Sequence, residues 1–197
     1  MQKVTTTKRQ FEIIQAAGKI LISSGINGLT TKNLAIEMGF TESALYRHFK
    51  CKHDIIAAML NYLADNMQQR FDKIITKSQT PKDNLTALFN SQFDFFSDNP
   101  YFVIAVLSDG LMQESETINQ CIKSLMAIKS KHLIAIINQG QTQGIFTQNI
   151  TVKQTVHLIM GSFRLLILKW RMDDFTFNIK LYGNQTIQTL LTLLEKL

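Results

Sequence analysis

Apolar residues recur at helical spacing along most of the chain. The clearest stretch runs from Asp54 to Ile75, where an apolar side chain returns every fourth residue at Ile55, Met59, Leu63, Met67, Phe71 and Ile75. This spacing puts them on one face of an amphipathic helix. An aromatic-rich helix is predicted over residues 83–96, and apolar stretches predict further helices over 5–24, 101–112, 115–139, 151–171 and 181–197.

The breaks in this pattern also favour an all-α fold. The two prolines, Pro81 and Pro100, fall in polar surroundings that are typical of helix boundaries. Gly25 is predicted to end the first helix, and the Gly- and Gln-rich run over residues 139–149 is predicted to be a turn. No β-hairpin signal and no internal repeat interrupts the helices.

Residues 29–52, LTTKNLAIEMGFTESALYRHFKCK, describe two short helices joined by a tight corner. Thr30 is a good N-cap, Gly39 ends the first helix, and Thr41 caps the second almost at once. Leu45 and Phe49 are four residues apart and should pack inward on one face. The opposite side offers polar groups able to reach DNA, namely Glu42, Ser43, Tyr46, Arg47 and His48. The pattern predicts a helix-turn-helix, called here the reading head.

At these residues the chain resembles the TetR family of bacterial transcriptional regulators. The resemblance begins with IIQAAGKILISSGINGLTT in helix 1 and is most specific at Tyr-x-His-Phe-x-x-Lys, present as YRHFKCK from Tyr46 to Lys52. By motif it covers roughly the first third of the chain. Two residues depart from the family pattern: Cys51 stands where a small polar residue is commoner, and Glu42 puts an acid on a face that meets an acidic polymer.

The resemblance implies a three-helix DNA-binding domain over residues 1–53 and a larger helical domain over 54–197 for effector binding and dimerisation. It also implies that Tyr46, His48 and Lys52 contact phosphates, which position a protein without reading sequence. The full set of predicted DNA contacts is Thr30, Thr31, Thr41, Glu42, Ser43, Ala44, Tyr46, Arg47, His48 and Lys52.

Two of these residues have alternative roles. Arg47 is the best candidate for base recognition because a bidentate guanidinium–guanine pair is the commonest specific contact, but it could equally grip phosphate. Glu42 could accept from a cytosine amino group, or simply complement a helix N-terminus, which is the commoner role of a first-turn acid.

Family resemblance also implies an effector pocket in the second domain. The candidate lining is Phe89, Phe93, Phe96, Tyr101, Met112 and Phe163. Such a lining predicts a small, mainly apolar or aromatic effector. By resemblance to the family, binding of this effector would displace the connector helix over 54–75 and release a repressor from DNA. The alternative is that these side chains are ordinary core.

A homodimer is predicted from apolar stripes on the last two helices. The stripes consist of Val152, Val156, Ile159, Phe163, Leu166 and Trp170 on one helix, and Ile187, Leu190, Leu191 and Leu194 on the other, with Leu197 at its end. The family pairs these helices across a two-fold axis, so the operator should be palindromic or nearly so. The alternative is that the protomer's own core absorbs both stripes.

Composition and charge agree with these predictions. Of the 197 residues 45% are hydrophobic and 18% charged, which is typical of a folded protein. Residues 1–54 hold eight Lys and Arg against four Asp and Glu, and the remainder thirteen against eleven. A quarter of the chain therefore carries two thirds of the net charge of +6, as a DNA-facing end would.

Other chemistry is not indicated by the sequence. His48 and His53 do not share a helix face, and no catalytic constellation, metal site or cofactor motif is recognisable, so we expect neither an enzyme nor a cofactor. Cys51 and Cys121 are far apart, and no apolar segment is long enough to span a bilayer, which predicts a cytoplasmic protein. Cys51, between two lysines, is either a small filler or a redox-sensing thiol.

A competing hypothesis belongs to a different class of protein. The C-terminal part could be a protein-interaction module attached to a vestigial DNA-binding head. The intact run of Tyr46, His48, Phe49 and Lys52 argues against it. The sequence therefore predicts a DNA-binding regulator first and an interaction module second.

Overall fold

The computed structural model describes residues 7–75, 80–107 and 115–195, and over these ranges the protein is α-helical. The helices are α1 (Lys8–Gly28), α2 (Thr31–Met38), α3 (Glu42–Tyr46), α4 (Lys52–Ile75), α5 (Pro81–Asp98), α6 (Tyr101–Val106), α7 (Glu116–Thr142), α8 (Val152–Met172) and α9 (Ile179–Leu194). Within the described ranges the only β pairing is an isolated bridge between Phe146 and Glu195. The all-α prediction is confirmed.

Threonine side chains begin five of these helices. Thr7, Thr30, Thr41, Thr80 and Thr151 each accept a hydrogen bond, at 3.1–3.3 Å, from the backbone N–H three residues further on. Each bond satisfies one of the N–H groups that a helix leaves unpaired at its start. Because capping depends on neighbours in sequence, these helix starts could be predicted within about two residues.

The first helix breaks at Gly25, as predicted, but resumes for a few residues beyond it. Gly25 has φ 63° and ψ −167°, outside the helical region, so the regular helix breaks where the sequence predicts. Beyond this kink α1 continues for three residues, as far as Gly28. Glycine adopts positive φ without the steric penalty of a Cβ, which explains its use at this point.

The described residues divide into two compact units. The first takes its residues from Met1–Asp65 and Pro100–Leu125, and the second from Asn66–Asn99 and Met126–Leu197. Helices α4 and α7 therefore each contribute residues to both units. The functional boundary between residues 53 and 54, which separates DNA binding from effector binding, stays a prediction.

An aromatic stack forms part of the core of the first unit. The rings of Phe11 and Tyr62 lie 5.0 Å apart, those of Tyr62 and Phe102 5.8 Å, and those of Phe102 and Tyr101 4.7 Å. The stack joins α1, α4 and α6, and α2 packs on α1 in turn. Helix α1, on which α2 of the reading head packs, is therefore held by α4 and α6 as well.

In the second unit, α9 packs along α5 and the core is built around four phenylalanine rings. Phe163 of α8 lies 5.4 Å from Phe89, 5.3 Å from Phe93 and 6.2 Å from Phe96, measured between ring centroids. All four rings are buried. We call Phe89, Phe93, Phe96 and Phe163 the aromatic cluster.

Candidate nucleic-acid interface and effector site

The corner between α2 and α3 is closed by backbone hydrogen bonds around Gly39. This residue has φ 65°, and its N–H donates to the carbonyl of Ile36 at 3.1 Å. The N–H of Phe40 donates back to the carbonyl of Ala35 at 2.8 Å, as at many helix C-termini that end on a left-handed glycine. Thr41 then caps α3, so the two helices meet with only two residues between the end of one and the cap of the next.

Leu45 and Phe49 are buried beneath this corner, as the four-residue spacing predicts. The helix above them is shorter than predicted, since α3 ends at Tyr46 rather than Phe49. The N–H groups of His48 and Phe49 both donate to the carbonyl of Leu45, at 2.8 and 3.0 Å, which closes a turn. Arg47 and His48 lie in this turn, which leads into α4 at Lys52.

The structure leaves most of the predicted DNA contacts at the surface. Tyr46 is 50% exposed despite its large aromatic ring. The exposed residues are Thr30, Thr41, Glu42, Ser43, Tyr46, Arg47 and His48, and the half-buried ones are Thr31, Ala44 and Lys52. The candidate interface is therefore a polar surface on a buried apolar base.

One contact within this surface was not predicted. The hydroxyl of Thr31 on α2 donates to Glu42 Oε2 on α3 at 3.0 Å, and lies 3.3 Å from the hydroxyl of Tyr46. Glu42 and Tyr46 are thereby tied to the same residue of the preceding helix. No periodic pattern links residues 11 and 15 positions apart, so sequence reasoning had no signal for this bridge.

The turn into α4 is fixed by a side chain of α4 itself. Asp54 Oδ2 accepts from the N–H of Lys50 at 2.9 Å. In the same unit, the guanidinium of Arg9 lies 4.3 Å from the ring centroid of Phe40, where it adds a cation–π contact between α1 and the α2–α3 corner. Both contacts hold the segment that carries Arg47 and His48.

The two cysteines lie in unlike environments and are both free thiols. Cys51 is exposed, and its redox role stays an open prediction. Cys121 is buried with its Sγ 3.4 Å from Asn61 Oδ1, and burial raises the pKa of this thiol. A raised pKa lowers the thiolate fraction, so Cys121 is suited to packing rather than to reaction.

Most of the predicted dimer-interface residues are part of the protomer's own core. Val156, Ile159, Phe163, Trp170, Ile187, Leu191 and Leu194 are buried, and Val152, Leu166 and Leu190 are partly buried. Helix α8 carries a second apolar stripe on another face. This stripe is Leu158, Leu165, Leu168 and Met172, whose exposed fractions run from 37% to 76%. Both stripes have helical spacing, so the sequence alone cannot say which one faces the core.

The predicted effector residues are only partly brought together. Phe89, Phe93, Phe96 and Phe163 form the aromatic cluster of the second unit. Tyr101 instead packs in the first unit against Phe102, and burial raises the pKa of its hydroxyl. Met112 lies outside the described residues.

Two basic residues of the second unit were missed by the sequence analysis. The Nζ of Lys129 on α7 lies 3.6 Å from the ring centroid of Phe163. On α4, Arg70 donates to Asn66 Oδ1, Ser91 O and Oγ, and Gln92 Oε1 at 2.7–3.0 Å. A signal for Lys129 did exist, since it stands four residues from both Leu125 and Leu133 on the apolar face of α7.

Burial shifts the pKa of both basic groups. Burial lowers the pKa of Arg70 to about 10, although the carboxylate of Asp94 partly opposes this shift. Burial, with a smaller effect from the charge of Arg70, lowers the pKa of Lys129 to about 7. Each cation therefore lies in surroundings that disfavour its charge.

A metal site and a membrane-spanning helix are both missing from the described residues. No group of three or more His, Cys, Asp or Glu side chains is placed to hold a metal ion. None of the helices is long and apolar enough to cross a membrane in the part of the chain that the structure describes.

Together, the tight α2–α3 corner, its exposed polar face and the helical second unit define a helix-turn-helix DNA-binding regulator. The sequence profile of the bacterial regulatory proteins of the tetR family matches residues 13–59. The profile of the YsiA-like protein C-terminal region matches residues 58–193. The chain belongs to the TetR family and has its DNA-binding regulator fold.

Comparisons with individual proteins agree with this family. The nucleoid occlusion factor SlmA of Alteromonas mediterranea is 27% identical over 125 residues, and the match spans 64% of this chain and 64% of that relative. The ketosteroid transcriptional regulator KstR2 of Mycobacterium tuberculosis has a similar fold, with a TM-score of 0.82 at 19% identity over 99% of this chain and 100% of that one. The regulator FadR from Bacillus subtilis, in complex with stearoyl-CoA, gives 0.80 at 20% identity over 92% and 97%.

Proposed function

We propose that the chain is a transcriptional repressor that binds a palindromic operator as a homodimer and is released by a small, mainly apolar effector. The observation that carries this proposal is the surface of the reading head. Tyr46, Arg47 and His48 are exposed together above the buried side chains of Leu45 and Phe49. Polar and basic groups on a fixed base are what contacts to phosphates and base edges require.

Within this surface, we assign Tyr46, His48 and Lys52 to phosphate contacts. Arg47 is a candidate for base recognition or for a further phosphate contact. The hydrogen bond from Thr31 to Glu42 favours a positioning role for this carboxylate over reading of a cytosine. The other proposed DNA contacts remain Thr30, Thr31, Thr41, Ser43 and Ala44.

The DNA-binding proposal is tested by selecting DNA from a random library and measuring affinity for the selected and for random sequences. We expect an inverted repeat whose half-sites lie roughly 34–36 Å apart. Lys52→Ala should weaken both kinds of DNA alike and lower the salt slope by about one. Lys123→Ala, which removes an exposed lysine from α7, is the control. Enrichment of no sequence over random DNA would contradict the proposal.

For the homodimer we propose an interface on the exposed faces of α8 and α9. Leu158, Leu165, Leu168 and Met172 of α8 and Leu193 of α9 are exposed apolar side chains that a second copy could bury. The buried stripe contributes by supporting these helices. Leu165→Glu should give a monomer by light scattering at micromolar concentration, whereas Lys153→Glu at an exposed polar position should not. Two dimeric variants would contradict this interface.

The aromatic cluster supports an apolar effector, because its four rings offer bulk and few polar anchors. The ketosteroid regulator and the regulator solved with stearoyl-CoA share the fold, and their names include a steroid and a fatty-acyl chain, both of which are apolar. Candidate effectors should lower the affinity for the selected DNA, because coupling requires the effector to bind one conformation of the regulator better than the other.

The alternative, an interaction module with a vestigial head, is not favoured, because the reading head retains its caps, its buried base and its exposed polar face. We place the regulator in the cytoplasm, where bacterial DNA lies. The proposed role requires no catalysis.

A further inference from the structure

Lys129 is a charged residue at an apolar position. On α7 it stands four residues after Leu125 and four before Leu133, both of which are buried. Its Nζ lies 3.6 Å from the ring centroid of Phe163, a member of the aromatic cluster. Lys129 is half-buried, so its ammonium group is partly removed from water where it faces the negative π-surface of the ring.

Among the residues that the structure describes, the ring of Phe163 is the one contact of this ammonium group, and no carboxylate, carbonyl or hydroxyl accepts a hydrogen bond from Lys129 Nζ. A lysine ammonium has three N–H donors, and removing it partly from water without an acceptor costs free energy. A cation–π contact returns about 0.5–2 kcal/mol and satisfies none of these donors conventionally.

The positive charge of Arg70 also acts on Lys129. Its hydrogen bonds all go to neutral oxygens, on Asn66, Ser91 and Gln92. Asp94 influences it from a longer distance, but this carboxylate is paired with Lys180 at 3.0 Å. The charge of Arg70 contributes to lowering the pKa of Lys129, although its guanidinium itself lies over the ring of Phe95, 4.8 Å from the ring centroid.

We propose that Lys129 receives the anionic head group of the effector, while the apolar part of the effector packs against the aromatic cluster. The effector would thus be an amphiphilic anion rather than a neutral apolar molecule. An anionic oxygen would supply the acceptors that Lys129 lacks, as charge-assisted hydrogen bonds. This inference rests on the proposed function and names the chemical class of its effector.

The packing of the cluster says what such a ligand must do. Phe163 contacts Phe89, Phe93 and Phe96, so the apolar part of a ligand has to enter beside these rings or displace one of them. Arg70 belongs to α4, the helix that begins at Lys52. A negative charge held at Lys129 would also attract Arg70, and would therefore act on a helix whose first residue is a proposed phosphate contact.

A purely structural role and a ligand-binding role for Lys129 predict opposite changes in the melting temperature when this residue is replaced. If the cation–π contact holds the core together, then Lys129→Met should lower the melting temperature. If Lys129 is retained for a ligand, removing an unpaired, half-buried charge should raise the melting temperature of the ligand-free protein while binding is lost. Methionine is the best substitution because its length and apolar surface fill the same space.

The test uses four probes of equal chain length, below their micelle-forming concentrations: dodecanoate, dodecyl phosphate, dodecan-1-ol and dodecylammonium. Their affinities for the full-length protein are measured by calorimetric titration. We expect at least one of the two anions to bind about tenfold or more tightly than the alcohol, and dodecylammonium to bind most weakly. The two anions tell a carboxylate head group from a phosphate.

Three variants locate this preference. Lys129→Met should abolish the preference for anions and leave dodecan-1-ol binding unchanged, whereas Lys129→Arg should retain it. Lys123→Met, at an exposed position of the same helix, should behave like the unmodified protein. Equal affinities for anions and alcohol, binding of neither anion, a preference that survives Lys129→Met, or a lower melting temperature for that variant would each overturn the proposal.

The same preparations separate this proposal from the proposed function. Binding to the selected operator is measured without any probe. If the protein binds its operator but shows no preference for the anions, only the anionic effector is rejected. If it selects no DNA, the regulator itself is rejected, whatever the probes show.

Discussion

The reading head and the aromatic cluster with its two cations use polar groups in opposite ways. In the head the polar side chains are exposed, and their hydrogen bonds reach residues nearby in the chain, such as Asn33 from Thr30. In the second unit Arg70 and Lys129 are half-buried, and Lys129 contacts Phe163 from another helix. The head is therefore assembled locally, and the cluster only by the tertiary fold.

This difference bears on how function relates to stability. An exposed side chain in the head contributes little to folding, so it can be selected for DNA contact at small cost. In the second unit the rings supply stability, and the unpaired, half-buried ammonium of Lys129 reduces it. We expect function and stability to be separable in the head and opposed beside the cluster. The following predictions test that expectation, from the largest effect to the smallest.

Phe163→Ala should have the largest effect on folding. It removes a buried ring that contacts three others, and substitutions of this kind cost about 3–5 kcal/mol in the free energy of unfolding. Urea unfolding measures the loss, with Lys153→Ala at an exposed position of α8 as the control. Equal stability of the two variants would mean that the aromatic cluster does not carry the stability of the second unit.

Arg47→Ala should leave the free energy of unfolding within about 0.5 kcal/mol of its original value, because the side chain is exposed. Its effect should fall on DNA instead. If Arg47 reads a base, the variant loses about 1–3 kcal/mol of affinity for the selected operator and relaxes the preference at one base pair. If operator and random DNA are weakened equally, Arg47 belongs with the phosphate contacts.

Lys129→Met should change the pH dependence of stability. The pKa of Lys129 is lowered from 10.5 to about 7 in the folded protein, so between these pH values the unfolded chain binds the extra proton. Stability therefore rises with pH in this window, and the unfavourable contribution of this group is fully present below pH 7.

The variant should lack this rise and should be more stable than the original protein at pH 7. Urea unfolding at intervals between pH 6.5 and 10 measures the difference, with Lys123→Met as the matched control. Parallel pH profiles for Lys129→Met and the original protein would show that Lys129 is not a destabilising cation in the fold.

Thr30→Ala should have the smallest effect, because it removes only the oxygen that accepts from Asn33 N–H at the start of α2. We expect a loss of about 1 kcal/mol in the free energy of unfolding, with Thr30→Ser close to the original. Hydrogen exchange of the α2 amides would locate the effect. A loss of operator affinity in both variants, without loss of stability, would instead assign the Thr30 methyl group to DNA contact.

Much of the fold follows from local patterns. The four-residue spacing of Ile55, Met59, Leu63 and Met67 predicted α4, and all four side chains are buried. Thr30, Gly39 and Thr41 likewise marked the ends of α2 and α3, since a cap depends on groups three or four residues away. The short length of α3 was missed, because the turn that ends it is imposed by the start of α4.

Residues that act through distant contacts could not be predicted in this way. Phe163 and Leu165 belong to two stripes of the same helix, and only packing on α5 decides that one is core and the other surface. Tyr101 was grouped with the phenylalanines by residue type, yet it packs against Phe102 in the first unit. The bridge from Thr31 to Glu42 also joins separate helices.

The sequence by itself determined the helices, the capped corner of the reading head and the family, because these depend on residues only a few positions apart. Only the tertiary structure decided which helix faces are buried, how the four phenylalanines meet, and that Lys129 faces the ring of Phe163. The physical reason is that burial and charge interactions depend on distances in space, and a helical repeat specifies a face without specifying its neighbour.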